Sequence, residues 1–165
     1  MAANCPICGK DLSVGDHKMH SGDFLQLILD NVPAFVFWKD VNSVYLGCNQ
    51  NYAEVVGLES PQQIVGKTDA DFWPDHTEVE SYQKDDRTVM KSGIPKYRYR
   101  ERTTSKDGEH CWVETTKIPL KDKDGNIFGV MGIYVDVTEK MDKAEEDMIS
   151  VSKLHDQLKE KLNGH

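Results

Sequence analysis

The stretch Ile127-Phe128-Gly129-Val130-Met131-Gly132-Ile133-Tyr134-Val135-Asp136-Val137-Thr138-Glu139 decides how this chain folds. Its first nine residues are apolar, β-branched or aromatic with no polar interruption, the composition of a buried strand. From Asp136 onward the period changes. Val137, Met141, Ala144, Met148, Val151, His155, Leu158 and Leu162 recur at alternating steps of four and three, the a/d seam of a coiled coil with one histidine in it. A helix of that length reaches roughly 40 Å at about 1.5 Å per residue, too far for its stripe to be covered by a small domain. The seam therefore asks for a partner helix, and the strand hands over directly to it.

The 165 residues suffice for one domain with a core plus appendages. Twenty Lys and Arg stand against 28 Asp and Glu, a formal charge of −8. No general basic field exists to attract phosphate backbones, so nucleic acid is disfavoured as a partner. There is no apolar run of membrane-spanning length and no basic-then-apolar leader, which reads as a cytoplasmic chain without membrane contact. Cys5, Cys8, Cys48 and Cys111 are too scattered for a disulfide framework.

Residues 1–20 carry the one metal-like spacing, Cys5 and Cys8 followed by His17 and His20, or C-x2-C-x8-H-x2-H. Two thiolates and two imidazoles close a tetrahedral zinc site, and Pro6 and Gly9 suit a tight knuckle. The His half is shorter than in the usual C2H2 pattern, and so small a segment would owe its fold to the metal. Zinc here is expected to be structural, since no carboxylate or nucleophile accompanies it. A tail with idle thiols and a dithiol redox pair are the other readings of the same residues.

Downstream, Ser21-Gly22-Asp23 caps an amphipathic helix that Pro33 stops, followed by strands over Ala34–Asp40 and Val44–Cys48. Asn49 is poised to cap a short helix ending at Gly57, and a turn-rich stretch leads to a helix over Asp75–Lys91 that Ser92-Gly93 ends. In Lys96–Thr104 the alternation puts Tyr97, Tyr99 and Glu101 on one face and Lys96, Arg98, Arg100 and Arg102 on a solvated one. Turns at Lys106–Glu109 and Asp122–Asn126 bracket the strand His110–Leu120. Two strands, a helical middle and three strands in hairpin order predict an α+β fold: a five-stranded antiparallel sheet, helices on one face, and a C-terminal coiled-coil helix.

These pieces resemble a known family. Val32-Pro33-Ala34 with Phe37-Trp38-Lys39-Asp40, Tyr45-Leu46-Gly47-Cys48-Asn49, Gly66-Lys67-Thr68-Asp69-Ala70-Asp71-Phe72, Lys106-Asp107-Gly108, Asp124-Gly125-Asn126 and Asp136-Val137-Thr138-Glu139 together are similar to a PAS domain with its C-terminal PAC half, of the bacterial and archaeal signal-transduction type, over about Leu27 to Lys140. The resemblance implies a sensor: a pocket enclosed by sheet and helices, with the Asp136-Val137-Thr138 junction passing changes to the coiled coil. It divides the chain into a zinc-knuckle-like segment at 1–20, a flanking helix at 21–32, the PAS/PAC domain at 33–136 and a signalling helix at 137–165.

Phe35, Tyr45, Tyr52, Phe72, Trp73, Tyr97, Tyr99 and Trp112 are the aromatic residues that either line a ligand pocket or fill it as core. Flavin photosensors of the family carry an Asn-Cys-Arg-Phe run where this chain has Asp71-Phe72-Trp73-Pro74, so a cysteinyl adduct is disfavoured. His76 resembles the axial ligand of haem-binding relatives, though counting from Ser92-Gly93 brings Tyr82 to that place. Leu154-His155-Asp156 resembles the phosphoacceptor box of sensor histidine kinases, yet no glycine-rich phosphate loop accompanies it, so no enzymatic activity is expected. The plainer role of His155 is a polar residue setting coiled-coil register. The expected function is a two-component-type PAS sensor for a small ligand, redox or metal cue, homodimeric through its flanking helices and acting on a downstream kinase or regulator. The alternatives are the input fragment of a sensor histidine kinase with His155 as phosphoacceptor, and a zinc-finger adaptor for protein or nucleic acid.

Overall fold

The strand quoted at the outset is the middle of the sheet. The computed structural model describes residues 21–104 and 108–163. In chain order these form α1 (Ser21–Asp30), β1 (Phe35–Asp40), β2 (Tyr45–Cys48), α2 (Gln50–Val55), single turns of tighter helix at Pro61–Ile64 and Asp69–Asp71, α3 (His76–Ser92), β3 (Lys96–Thr104), β4 (His110–Lys121), β5 (Ile127–Asp136) and α4 (Thr138–Asn163). The strand order is β2-β1-β5-β4-β3, antiparallel throughout, with β5 bonded to β1 on one side and β4 on the other. The expected α+β architecture with a five-stranded sheet is present.

Local chemistry makes each junction. Asp40 closes the β1–β2 turn by accepting from the backbone N–H of Asn42 at 2.8 Å and Val44 at 2.9 Å. Asn49 caps α2 by accepting from Tyr52 N at 3.1 Å, and its amide also donates to Leu29 O at 3.0 Å and Ala34 O at 2.8 Å. One fully buried side chain thereby ties the end of α1 and the start of β1 to α2. Asp75 caps α3, and Gly93 ends it in the left-handed region at φ 66°. The main core cluster, Phe37, Tyr45, Cys48, Tyr52, Ala53 and Ile64, sits between the sheet and α2, and Val89, Met90 and Val130 pack α3 against β5. Cys48 is a small buried hydrophobe there, as expected.

One feature departs from the sequence pattern. In β3 the register slips between Lys96 and Tyr99, with Arg98 at φ 48°, so an extra residue interrupts the alternation. Tyr97 consequently leaves the face shared by Tyr99 and Glu101 and is 65% exposed. Lys96 leaves the solvated basic row instead, pairing with Asp85 on α3 at 2.8 Å with its ammonium 3.6 Å from the Tyr99 ring centre. As expected, α4 continues from β5 as one helix, with Met148, Ile149, Val151 and Leu154 exposed. No helix among the described residues is long and apolar enough to cross a membrane.

Two glycines let β1 and β5 approach closely. A Cβ on Gly132 would strike the Phe37 ring, and one on Gly129 would strike the Lys39 carbonyl oxygen. A ring can turn aside, whereas a bonded strand backbone cannot. Gly129→Ala is therefore expected to lower stability by about 1–3 kcal/mol through overpacking, seen as a lower urea midpoint. Gly22→Ala, with nothing within 4 Å of its new Cβ, is the matched control and should be neutral or slightly stabilising.

Candidate functional site

Lys39 on β1 and Lys117 on β4 occupy positions where the strand pattern demands inward side chains, and both are buried, Lys39 to 1% exposure. Two ammonium groups in a core survive only if paired. Lys39 Nζ lies 2.6 and 2.7 Å from the two oxygens of Asp69 and 3.0 Å from Asp86 Oδ2. Lys117 Nζ lies 2.6 Å from Asp86 Oδ1 and donates to Tyr82 O at 3.0 Å. Tyr45 donates its hydroxyl to Asp69 at 2.7 Å, and with that proton committed it accepts from Tyr52 across 2.5 Å. The result is a buried relay, Lys117–Asp86–Lys39–Asp69–Tyr45–Tyr52, with balanced charge over its four ionic members.

Burial opposes ionisation of Asp86, but the ammonium groups of Lys39 and Lys117 outweigh it and hold the carboxyl below the usual range. Tyr45 and Tyr52 are pushed well above the ordinary phenol value, chiefly by burial, and stay protonated donors. Beside the relay is a cavity of about 60 Å³, room for roughly four to six waters at about 10–15 Å³ each. Phe37, Tyr52, Trp73, Tyr82 and Tyr134 form its aromatic wall, and Lys39, Asp69, Glu101, Thr103, Thr115 and Lys117 its polar one, with Val113 between. Burial raises the Glu101 carboxyl above the usual carboxylate range.

Of the aromatic residues singled out from sequence, Tyr52 and Trp73 line this cavity. Phe35 stacks on Tyr134 at 4.8 Å between ring centres, and Tyr45 and Phe72 meet edge to face at 5.9 Å in the core behind it. Tyr99 lies beneath Lys96, and Tyr97 is exposed. His76 is exposed at the start of α3 and is not among the lining residues. Trp112 belongs to the opposite face of β4, its ring carrying the Arg102 guanidinium at 4.8 Å. Cys5, Cys8, His17 and His20 lie outside the described residues; among those described, no group of three or more His, Cys, Asp or Glu is arranged to hold a metal.

Sequence reasoning missed the polar wall. A signal existed: Lys39 and Lys117 are charged residues at inward positions of otherwise apolar or neutral strand faces.

The expected junction is built as a clamp. Asp136 Oδ1 accepts from Thr138 N at 2.8 Å, Thr138 Oγ1 accepts from Trp112 N at 2.8 Å, and Val137 N donates to Trp112 O at 2.8 Å. The first turn of α4 is thus pinned to β4, one residue from cavity-lining Val113. His155 is exposed farther along α4.

Residues 29–142 match the family model described as PAS fold. The chain belongs to the PAS-fold family. It is 26% identical over 148 residues to the aerobic respiration control sensor protein ArcB of Escherichia coli K12, covering 86% of this chain and 19% of that protein. This PAS chain thus spans about a fifth of the length of that sensor. Among solved structures it is similar to the VqmA dimer of Vibrio cholerae, at 27% identity and TM-score 0.64 over 74% of this chain and 53% of that one. It is likewise similar to VqmA bound to DPO, at 29% identity and TM-score 0.61 over 68% of this chain and 57% of that one. Relatedness to ArcB marks it as a sensory module.

Removing one member of the relay strands its neighbours. Lys39→Met should cost about 3–5 kcal/mol by leaving Asp69 without its cation and Asp86 with only Lys117. Because the folded-state value of Asp86 is depressed, its contribution is complete above the unfolded carboxylate value and lost as pH falls through the folded one. Urea titrations across a pH series are expected to show the variant's acid midpoint displaced to higher pH than that of the wild type.

Proposed function

We propose that this PAS module senses a small ligand in the cavity beside the Lys39–Asp86 relay and transmits its occupancy through β4 to α4, working in the cytoplasm by binding rather than by catalysis. The observation that carries the reading is the double duty of β4. Val113, Thr115 and Lys117 line the cavity, while the backbone of Trp112 holds Val137 and Thr138 at the start of α4. A ligand that shifts β4 therefore acts directly on the helix origin, and only a difference in ligand contacts between two arrangements is needed to move the balance. VqmA bound to DPO supports a ligand of that kind here. The exposed apolar residues of α1, Phe24, Leu25, Leu27 and Ile28, and those of α4 support a homodimer built on both helices, with α4 pairing as a coiled coil. A downstream kinase or regulator would read that pairing.

A second reading is favoured by the likeness to ArcB: the chain is the input portion of a sensor histidine kinase, with His155 on α4 as phosphoacceptor. The N-terminal Cys5, Cys8, His17 and His20 set is proposed as a structural zinc knuckle on its spacing.

Titration with DPO is expected to raise the melting temperature and to change amide exchange in the first turn of α4. In Thr138→Val the thermal shift should persist while the change in α4 disappears. If DPO moves no cavity amide in an NMR titration, the ligand assignment is wrong; if α4 responds equally in both proteins, the route through Trp112 is wrong. Metal analysis of the purified full chain should give one zinc per chain, lost in the Cys5→Ser, Cys8→Ser double variant, and zinc-free wild type would overturn the knuckle.

A further inference from the structure

We propose that the outer edge of β3, with its row of Arg98, Arg100 and Arg102, takes up an extended acidic segment of a partner protein as a sixth strand of the sheet. The inference stands apart from the cavity, since it concerns the opposite face of the sheet and its edge. Strand β3 ends the sheet: it is bonded to β4 on one side, and among the described residues no backbone hydrogen bond joins its other side to any element. Every second residue of such a strand turns its N–H and C=O away from its one neighbour, which makes a template for another strand. A bulge commonly blunts an edge of this kind. Here the bulge lies between Lys96 and Tyr99, and Tyr99–Thr104 beyond it hold unbroken register with β4.

The edge is also held ready for a partner. Helix α3 fixes its inner side: the Tyr82 and Thr103 hydroxyls lie 2.7 Å apart, Thr104 donates to Glu78 at 2.8 Å, and Lys96 pairs with Asp85 at 2.8 Å. A strand already ordered loses little freedom when another adds to it.

Charge then says what kind of segment fits. Arg98, Arg100 and Arg102 share the outer face at every second residue, a repeat of roughly 6.6–6.8 Å. Arg98 Nε lies 2.9 Å from Glu114 Oε1 and Arg100 Nε 3.9 Å from Oε2, yet the two arginine side chains remain 76% and 48% exposed. The Arg102 guanidinium rests on the Trp112 ring. Three cations paired to one carboxylate, 3 − 1, leave the row at +2 on a chain whose formal charge is −8. A strand added to β3 presents its alternate side chains to the same face at the same repeat. Carboxylates at every second position therefore stand opposite the guanidinium groups, whose forked donors match them. Nucleic acid lacks the peptide N–H and C=O ladder that completes the edge, and it meets the repulsion of an acidic protein. Backbone pairing supplies affinity and the alternating side chains supply selection, the division of labour in strand addition. A partner docked here lies beside Trp112, whose backbone holds the start of α4.

The probe is an end-blocked peptide, Thr-Glu-Thr-Glu-Thr-Glu-Thr, titrated into the full chain and followed by the NMR shifts and exchange rates of the Tyr99–Thr104 amides. The comparison probes are the block isomer Glu-Glu-Glu-Thr-Thr-Thr-Thr, the alternating peptide N-methylated at its threonine amides, and a single-stranded thymidine oligonucleotide. The expected result is slower exchange at alternate β3 amides and binding of the alternating peptide about tenfold tighter than of the block isomer or the N-methylated form, the worth of one or two net backbone hydrogen bonds. Arg100→Gln, at an exposed position, should weaken the alternating peptide about threefold. Lys123→Gln, which removes the same charge at the exposed turn before β5, should leave it unchanged. Equal binding of the alternating and block peptides, equal loss in the two variants, or no shift of these amides at millimolar peptide overturns the proposal. So does tighter binding of the oligonucleotide, which would make the row a nucleic-acid contact, or movement of the same amides with protein concentration alone, which would make the edge a contact between copies of this chain.

Discussion

Four charged side chains sealed from water hold this fold in place. Lys39 and Lys117 reach in from β1 and β4, Asp69 from the tight helical turn at Asp69–Asp71 ahead of α3, and Asp86 from α3, so elements distant in sequence share one electrostatic centre. Such a centre is weak support for net stability, because desolvating each ion consumes much of what pairing returns. Its importance is conditional: with all four present the site is neutral, and with any one removed a bare charge is left in the core. A constraint of that form specifies position more sharply than apolar contact does, since an ammonium satisfied at about 2.6–3.0 Å tolerates little sliding of α3 against the sheet.

The relay also determines where empty space is left. Side chains committed to one another cannot fill the volume beside them, and the cavity opens along the relay where β3 and β4 present Glu101, Thr103 and Thr115. Aromatic residues close the other side, with Tyr45 and Tyr52 extending the hydrogen-bonded chain into the apolar core. A polar wall against an aromatic one is the usual composition of a small-molecule site, here reached as a consequence of where the ions had to go.

Strand β4 joins this interior to the exterior. Alternation sends Val113, Thr115 and Lys117 inward and Trp112 and Glu114 outward, so the residue that clamps α4 is covalently adjacent to one that lines the cavity. No relay of side chains across the domain is required for an internal shift to reach the helix. The outer face of β4 is itself braced, with Arg102 over Trp112 and Arg98 bonded to Glu114 at 2.9 Å.

Much of the architecture was legible beforehand because it depends on local rules. Asn49 and Asp75 cap helices, Gly93 ends one, Asp40 makes a turn, and the uninterrupted apolar run at Ile127–Val135 became the central strand. Each is decided within a few residues by backbone geometry or hydrogen bonding. Local rules failed at Arg98, where a single bulge inverted the sidedness of Tyr97 and Lys96, and they said nothing of which aromatic residues meet across the core. The partners of Lys39 lie 30 and 47 residues away; a sequence displays the charge, but only packing the sheet against α3 brings its counter-ions within reach. The sequence by itself thus determined the element order, the family and the continuity of β5 with α4, whereas the tertiary structure alone decided the buried ion relay and the polar wall of the cavity, because both arise from long-range pairing that no local spacing encodes.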